Sequence, residues 1–257
     1  MINEEDQADI RRAKELLEST GLTIRMANYL GRPIAWGLET LSKRARDAVL
    51  SVTRKSMEVT LDAALLTLQK RTELKPRNWP HRLGVMTTGA LGGFFGPLAL
   101  AVELPISTAI MFRSIAAHAR SQGESLLDAD TQLNCLSVFA LGGTTAPGDA
   151  KSGYLAVRAS LANVIAEAVE YVTERGAAES EAPALATFIA RLAARFAPAV
   201  GDKVAAQLVP AIGAAGGAAI NLIFIEHFQG VAWGHFTVRR LERKYGVEAV
   251  GEIYAAP

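Results

Sequence analysis

Hydrophobic residues recur every three or four positions along most of this chain, and the period-two alternation typical of strands is rare. The stretch Glu4–Glu18 is rich in charge and precedes a Ser-Thr-Gly sequence, so it predicts a short helix that ends there. A longer apolar stripe begins at Leu41 and predicts a helix that stops before Pro76. Further helices are predicted over Tyr154–Arg175 and 184–196. The pattern as a whole predicts an all-α protein.

Two long runs, 83–102 and 204–225, carry no charged residue. Each is long enough to cross a bilayer at about 1.5 Å per residue. Their glycine, proline and polar content leaves three alternatives open: a transmembrane span, a shallow or re-entrant membrane contact, or a buried helix pair in a soluble domain. Pro97 and Pro105 are expected to break the first run into two helices, the second of which ends at Gly123.

Glycines in both runs recur four residues apart, as in Gly89 and Gly93 or in Gly213 and Gly217. Residues four apart share one face of a helix, and the missing side chains let another backbone approach closely. We therefore predict that these two glycine-rich apolar helical segments pack closely against each other.

Domain organisation is indicated by the proline-bounded stretch 76–82, which separates a charged N-terminal third from an oily remainder. Proline at both ends of the sequence PRNWP favours a rigid connection. We therefore predict a single all-α domain with two parts. They are a helical N-terminal extension, residues 1–75, and a glycine- and alanine-rich helical core, residues 76–257.

The composition excludes several classes of function. The formal net charge is only +1, so binding of nucleic acid through bulk charge is not expected. The single cysteine, Cys135, lies in an apolar stretch without a basic neighbour, so it indicates neither a disulfide framework nor an activated nucleophile. The first twenty residues are highly charged and lack the apolar middle of a signal peptide, so a cytoplasmic location is expected.

One segment, 22–55, concentrates basic charge among apolar residues. Seven basic residues against two acidic ones give it a net charge of +5. Such a segment can lie in a membrane interface, with aromatic side chains at the headgroups and cations against anionic lipid. The other open interpretation is a helix that buries one face in the protein. The candidate membrane-binding residues are Arg25, Arg32, Trp36, Lys43, Arg44 and Arg46.

Sequence signatures of catalysis and of cofactor binding are missing. No GxxxxGK[ST] phosphate loop, GxSxG nucleophile elbow, CxxC pair or HExxH helix occurs. The glycine-rich stretch 89–96 does not match the dinucleotide fingerprint, and no predicted strand precedes it. We therefore expect no cofactor and assign no catalytic residue.

Glu103 is a carboxylate within an apolar stretch of sequence, where an unpaired buried charge would be energetically unfavourable. Three roles stay open for it: a buried ion pair with Arg113 or Arg158, a helix N-terminal position before Pro105, or a metal site. A metal site would combine Glu103 with groups at the end of the second oily run. The paired ExxH spacing of bundle metal sites is absent, so no metal is assigned. The predicted buried polar cluster comprises Glu103, Arg113, His118, Glu226 and His227.

A second polar group surrounds the Gly-Gly-Thr-Thr loop that follows the apolar stretch 130–141. Tyr154 and Arg158 are four residues apart and share one helix face. Together with charges of the loop, they would form a small pocket for a phosphate or a lipid headgroup. The alternative is a capped loop with solvated charges. The candidate pocket residues are Asp149, Lys151, Tyr154 and Arg158.

Three blocks of the sequence together resemble the EcsC protein family. They are TTGALGGFFGPLALAVELPISTAIMFRSIAAHARSQGE, CLSVFALGG with the following GYLAVRA, and LVPAIGAAGGAAINLIFIEHFQGVAWGHFTVRRLERKYG. The family takes its name from a protein encoded beside an ABC transporter implicated in secretion. The resemblance therefore implies an accessory role at the inner face of the membrane, and it implies no catalytic residues.

These observations favour a non-enzymatic accessory protein at the cytoplasmic face of the inner membrane. Its expected partner is the membrane surface or a membrane protein such as an ABC transporter. Segment 22–55 would supply electrostatic attachment, and the oily runs would supply insertion or partner contact. Two alternatives stay open: a soluble helical protein that binds a lipid-like ligand, and a metal-dependent enzyme that uses Glu103, Glu226 and His227.

Overall fold

Helices account for nearly all of the structure, which is a computed structural model. It describes residues 2–18, 22–30, 41–70, 97–143, 153–175, 182–207 and 213–256. Within these ranges the chain forms nine α-helices and no strand, which confirms the predicted all-α class. The helices are α1 (Glu4–Glu18), α2 (Leu22–Leu30), α3 (Lys43–Lys70), α4 (Pro97–Ser121), α5 (Ala129–Leu141), α6 (Tyr154–Arg175), α7 (Pro183–Gln207), α8 (Gly213–Tyr245) and α9 (Val247–Ala255).

The first helix, α1, has the predicted bounds and packs against the last two helices, α8 and α9. Asn3 caps it, because the Asn3 Oδ1 atom accepts a hydrogen bond from the Asp6 backbone N–H at 2.8 Å. At Gly234 of α8 an added Cβ would lie 2.8 Å from Cγ of Leu17, so this glycine permits the close approach of α1. Lys244 then reaches Asp6 across 238 positions of sequence.

The central helix is α8, which has 33 residues and packs against α1, α2, α4, α5, α7 and α9. Its Phe224 and Phe228 rings form a buried cluster with Phe139 of α5 and Phe196 of α7. Neighbouring ring centroids in this cluster lie between 5.0 and 5.9 Å apart, in tilted or edge-on arrangements that aromatic pairs favour. The cluster holds three helices in one hydrophobic core.

The N-terminal helices share that core. α3 packs against α4, α5 and α7 and buries Val49, Met57, Leu61 and Leu65. The division into residues 1–75 and 76–257 stays a prediction, because residues 71–96 lie outside the described part of the chain.

Pro105 does not break its helix, which corrects the sequence expectation. α4 continues from Pro97 to Ser121 with Pro105 inside it. Proline cannot donate a hydrogen bond to the carbonyl four residues earlier, which belongs to Ala101. Ala101 is exposed, so water can solvate that carbonyl, while Leu104, Met111 and Phe112 of the same helix are buried in the protein. The expected end at Gly123 is confirmed, since Gly123 has a φ of 81°, in the left-handed region that favours glycine.

The two uncharged runs have different outcomes. Residues 83–96 of the first run lie outside the described residues, with Gly89 and Gly93 among them. The described residues of the second run belong to α7 and α8, which pack against each other. Phe196 of α7 and Phe228 of α8 have ring centroids 5.4 Å apart, so the chain reverses between these helices. The described residues of the second run therefore lie in two helices that pack side by side.

One helix of the described part, Pro183–Ala206, is long and apolar enough to cross a membrane by length and composition alone. More than half of its apolar window is buried inside the protein. Core helices of soluble proteins have the same property, so the finding is weak evidence for a span.

Candidate functional site

The beginning of α3 presents a group of cations to solvent. Ser42 caps this helix, because its Oγ atom accepts a hydrogen bond from the Ala45 backbone N–H at 3.3 Å. Lys43, Arg44 and Arg46 follow at once, all three are exposed, and the first turn holds no acidic residue. Cations at a helix N-terminus oppose the helix dipole and cost about 0.3–1 kcal/mol each. Helix stability therefore does not account for this cluster.

Apolar side chains are exposed on the same helix. Lys43, Leu50 and Arg54 are spaced at i, i+7 and i+11, which places them on one stripe of α3. Leu50 is 47% exposed; Val59 and Leu66 are also exposed, but on the opposite side of the helix. One stripe near the start of α3 is thus basic and apolar together.

The adjacent helix α4 adds to this exposed apolar surface. Val102 and Ile106 are exposed by 65% and 46%, although α4 packs closely against α3. They are four residues apart and therefore share one face of α4. We define the α3–α4 surface by Lys43, Arg44, Arg46, Leu50, Val102 and Ile106.

Acidic residues offset the later part of α3 more fully than its beginning, where Asp47 stands against three cations. Glu58 accepts from Arg54 at 3.2 Å and from Lys55 at 3.4 Å. Asp47 and Asp62 are exposed on the same helix. Among the described residues no ion pair involves Lys43, Arg44 or Arg46, so the excess positive charge lies at the start of α3.

The described residues of segment 22–55 are divided between α2 and the start of α3. Its first piece, α2, buries Leu22 and Met26 in the protein core. Arg25 of α2 faces Glu226 of α8 across 3.6 Å. Arg32 and Trp36 lie outside the described residues. Of the candidate residues in this segment, Lys43, Arg44 and Arg46 are the exposed ones that lack a described ion pair.

Glu103 has a buried partner that the sequence interpretation did not include. Its Oε1 atom accepts a hydrogen bond from Lys203 Nζ at 2.6 Å and one from Asn221 Nδ2 at 3.2 Å. Both members of the ion pair are almost fully enclosed, with side-chain exposures of 4% for Glu103 and 1% for Lys203. The Lys203 ammonium also lies 5.3 Å from the Phe224 ring centroid. The site joins α4, α7 and α8.

The partners expected for Glu103 lie elsewhere. Arg113 is exposed, because ten positions along α4 turn it away from Glu103. Arg158 forms an ion pair with Glu242. The sequence did contain a sign of Lys203 as a partner. It stands beside Asp202 in the stretch 197–206, which is otherwise apolar.

The remaining members of the predicted buried cluster do not gather around Glu103. Glu226 is 39% exposed and faces Arg25, and His118 is partly buried on α4. His227 is buried, and its Nε2 atom lies 2.8 Å from the carbonyl oxygen of Gly142, to which it donates. Burial lowers the pKa of His227 to about 4, so the imidazole is neutral at pH 7. The described residues contain no group of three side chains that could hold a metal ion.

A second polar network joins the start of α6 to the end of α8. Arg158 donates to both carboxylate oxygens of Glu242, at 2.7 and 2.6 Å, which is the strong two-point geometry of an arginine–carboxylate pair. Its Nη1 atom also lies 3.4 Å from the Tyr154 hydroxyl, which shares a hydrogen bond of 3.0 Å with Nδ1 of His235. Burial raises the pKa of Tyr154 to about 12, so the phenol stays protonated. Asp149 and Lys151 lie outside the described residues.

A groove opens beside this network. It has a volume of about 580 Å³ and follows α6 from Arg158 to Glu174. Asp130 and Asn134 of α5 and Arg239 of α8 complete its polar lining. Sequence reasoning identified Arg158 but missed Arg239, because the two are brought together only by packing of α6 and α8 against α5.

Arg239 is fixed by two carboxylates. Its Nε atom donates to Glu124 at 2.9 Å, and its Nη2 atom donates to Asp130 at 2.6 Å. Burial alone would lower the pKa of Arg239, but hydrogen bonds to Glu124 and the charge of Asp130 outweigh that effect and raise it. The guanidinium is therefore permanently charged and held in place.

Comparison with known proteins bears on most of the chain. The model of the EcsC protein family matches residues 35–241, which include α3 to α7 and nearly all of α8. Neither a curated protein nor a solved structure matches the sequence. Since the match extends over most of the 257 residues, the chain belongs to the EcsC protein family.

Proposed function

We propose that this protein is a non-enzymatic accessory protein that binds peripherally to anionic lipid at the cytoplasmic face of the inner membrane. One observation carries the proposal: exposed cations at the start of α3 lie on the same packed helix pair as exposed apolar side chains. Lys43, Arg44 and Arg46 would contact lipid headgroups. Leu50, Val102 and Ile106 would enter the interface between headgroups and acyl chains.

The magnitudes support attachment without insertion of a whole helix. Each cation near an anionic bilayer surface contributes about 1 kcal/mol, and burial of apolar area contributes about 25 cal/mol per Å². Three cations with a few partly exposed apolar side chains therefore supply reversible binding. The cytoplasmic leaflet is the proposed partner because it carries the anionic lipids.

An accessory role beside an ABC transporter is part of the same proposal. It rests on the resemblance to the EcsC family, whose name-giving protein is encoded beside such a transporter. A surface that holds the protein at the membrane would raise its local concentration near a membrane-embedded partner. Cross-linking in intact cells, followed by identification of transporter subunits, tests this part separately from lipid binding.

The lipid proposal is tested with a charge-neutralised variant and a matched control. The test variant combines K43Q, R44Q and R46Q, and the control combines R11Q, R175Q and R191Q, three exposed cations on other helices. Both lose the same net charge. We expect the test variant to bind phosphatidylglycerol-containing vesicles about a hundredfold more weakly than wild type, and the control to lose much less. Equal losses in the two variants would reject a site on α3.

Sequential washing of native membranes sharpens the outcome. Release of the protein by high salt would support electrostatic attachment, because salt screens surface charges. Release only by detergent would contradict it and indicate that an apolar segment enters the bilayer. The V102S/I106S variant tests the apolar part, and vesicle binding equal to wild type would reject that part.

A further inference from the structure

The groove beside α6 has the dimensions of a ligand site. Its lining follows one face of α6 over 16 positions, which corresponds to about 24 Å along the helix axis. Its volume of about 580 Å³ lies within the range of roughly 300–1,000 Å³ that is typical of small-molecule sites. The groove is therefore long and narrow.

One part of the groove offers unused hydrogen-bond donors. A guanidinium has five N–H groups. With the described residues, Arg158 makes three hydrogen bonds, to Glu242 and Tyr154, and Arg239 makes two, to Glu124 and Asp130. Each arginine thus keeps N–H groups beyond those that fix its position, and both line the groove. Planar donors of this kind match carboxylate and phosphate oxygens.

The middle of the groove is apolar, and the far end of α6 is acidic. Ala162, Ile165 and Val169 form the apolar wall. Glu170 and Glu174 follow one turn apart, and among the described residues neither takes part in an ion pair. Two carboxylates four apart repel each other and would repel an anion. At the other end the two arginines are paired with carboxylates, and Asp130 also lines the groove, so the attraction there comes from the remaining N–H donors and not from net charge. These donors at one end and the two glutamates at the other give an anionic amphiphile one favoured orientation.

We propose that this groove binds one single-chain amphiphile with an anionic oxygen headgroup, either a carboxylate or a phosphate. The headgroup contacts Arg158 and Arg239. The alkyl chain lies along the wall formed by Ala162, Ile165 and Val169. This ligand site is separate from the α3–α4 surface and does not depend on the proposed membrane attachment.

Binding is measured by calorimetry on the full chain, with ligands kept below the concentration at which they aggregate. The probes are oleate, which carries a carboxylate, and 1-oleoyl lysophosphatidate, which carries a phosphate. Uncharged mono-oleoylglycerol has the same chain and serves as the comparison. We expect at least one anionic probe to bind about tenfold or more tightly than the uncharged one. Equal affinity for all three would overturn the headgroup assignment, and no binding of any would overturn the site.

A pair of matched tryptophan variants locates the binding. Ala166 lines the groove, and Ala156 lies on the same helix outside the lining; both are exposed. We expect A166W to reduce the affinity at least about tenfold by filling the groove, and A156W to bind like wild type. Circular dichroism and urea unfolding check that both variants are folded. An equal effect of the two would reject the groove as the site.

Two more results separate this proposal from its competitors. R158K keeps the charge but loses the planar fork, so we expect weaker binding of the anionic probe without loss of the uncharged one. The K43Q/R44Q/R46Q variant should bind the monomeric probe like wild type, which distinguishes failure of this site from failure of membrane attachment. If A166W dissociates a dimer in sedimentation while neither anionic probe binds wild type, the groove is an interface between copies and the proposal is wrong.

Discussion

Two groups of basic residues occupy opposite settings in this molecule. The sequence KRAR, residues 43–46, begins α3, and RRLERK, residues 239–244, ends α8. In α8 every cation meets a carboxylate: Arg239 and Arg243 both bond to Glu124, and Arg240 and Lys244 bond to acidic residues of α1. In α3 the cations at 43, 44 and 46 are exposed and form no described ion pair.

The two basic groups also lie at opposite ends of their helices. The carbonyl end of a helix attracts cations and its amide end repels them, so the α8 group stabilises its helix and the α3 group does not. The α8 group is therefore held by carboxylates within the fold, whereas the α3 group has no described carboxylate partner. The effect of a cluster of basic residues on helix stability therefore depends on which end of the helix it occupies.

Lys203 is a third kind of cation, because it is fully buried with its carboxylate partner Glu103. We expect its replacement to cause the largest loss of stability. K203M would leave the Glu103 carboxylate buried without its cation, at a cost of about 3–5 kcal/mol in the free energy of unfolding. Urea denaturation measures this loss. The double variant E103L/K203M removes both charges and should recover most of the stability. A single variant within about 1 kcal/mol of wild type would show that the pair is not structural.

Acid should destabilise the protein next most strongly, through His227. The unfolded chain binds a proton below about pH 6.5, but the folded imidazole does so only below about pH 4. Its contribution is therefore present above pH 6.5 and is lost as the pH falls toward 4, by about 3 kcal/mol. Denaturation midpoints across this range measure the loss. H227Q keeps a donor for the Gly142 carbonyl, and its stability should depend less on pH; an unchanged pH profile would contradict the assignment.

Removal of one paired cation from α8 should have a smaller effect. R239A leaves the largely buried Glu124 with Arg243 as its one described cation and with the Thr131 hydroxyl, and we expect a loss of about 2 kcal/mol. Burial raises the pKa of Glu124, but the hydrogen bonds and charges of Arg239 and Arg243 together outweigh this effect, so the pKa is lowered. The pair therefore stabilises the fold above pH 4.5 and loses its effect as the pH falls below that value. R239K should lie between wild type and R239A in urea unfolding; an R239A protein as stable as wild type would remove the distinction between the clusters.

The smallest change in stability is expected for K43Q/R44Q/R46Q. Its free energy of unfolding should stay within about 0.5 kcal/mol of wild type, and it should rise if it changes, because the variant removes cations from a helix N-terminus. The same urea titration compares it with R239A. A loss of about 2 kcal/mol would mean that these cations support the fold and would weaken their assignment to lipid.

Local pattern predicted the helices better than it predicted their partners. The bounds of α1 and α6 follow from charged and apolar spacing within each segment, and both agree with the structure. Glu103 was recognised as a charge that needs a partner, but Lys203 lies 100 positions away, and no local spacing connects them. Contacts of that kind depend on how helices cross.

The expected helix break at Pro105 shows a second limit of prediction from neighbouring residues alone. Proline inside a helix costs about 3 kcal/mol when judged alone, which is why a break was expected. Buried neighbours on α4 compensate for that cost in the folded protein. The candidate lipid surface was identified from charge at Lys43, Arg44 and Arg46, whereas the groove at Arg158 and Arg239 needed the packed structure.

The contact between α1 and α8 also affects the order of events during synthesis. Asp6 leaves the ribosome early, yet Lys244 follows 238 positions later. At roughly 5–20 residues per second, α1 waits for about ten to fifty seconds before its partner helix exists. Until then its buried face, Ile10 and Ala13, has no surface of α8 to cover it. The nascent chain therefore keeps α1 without its contact to α8 until α8 has been made.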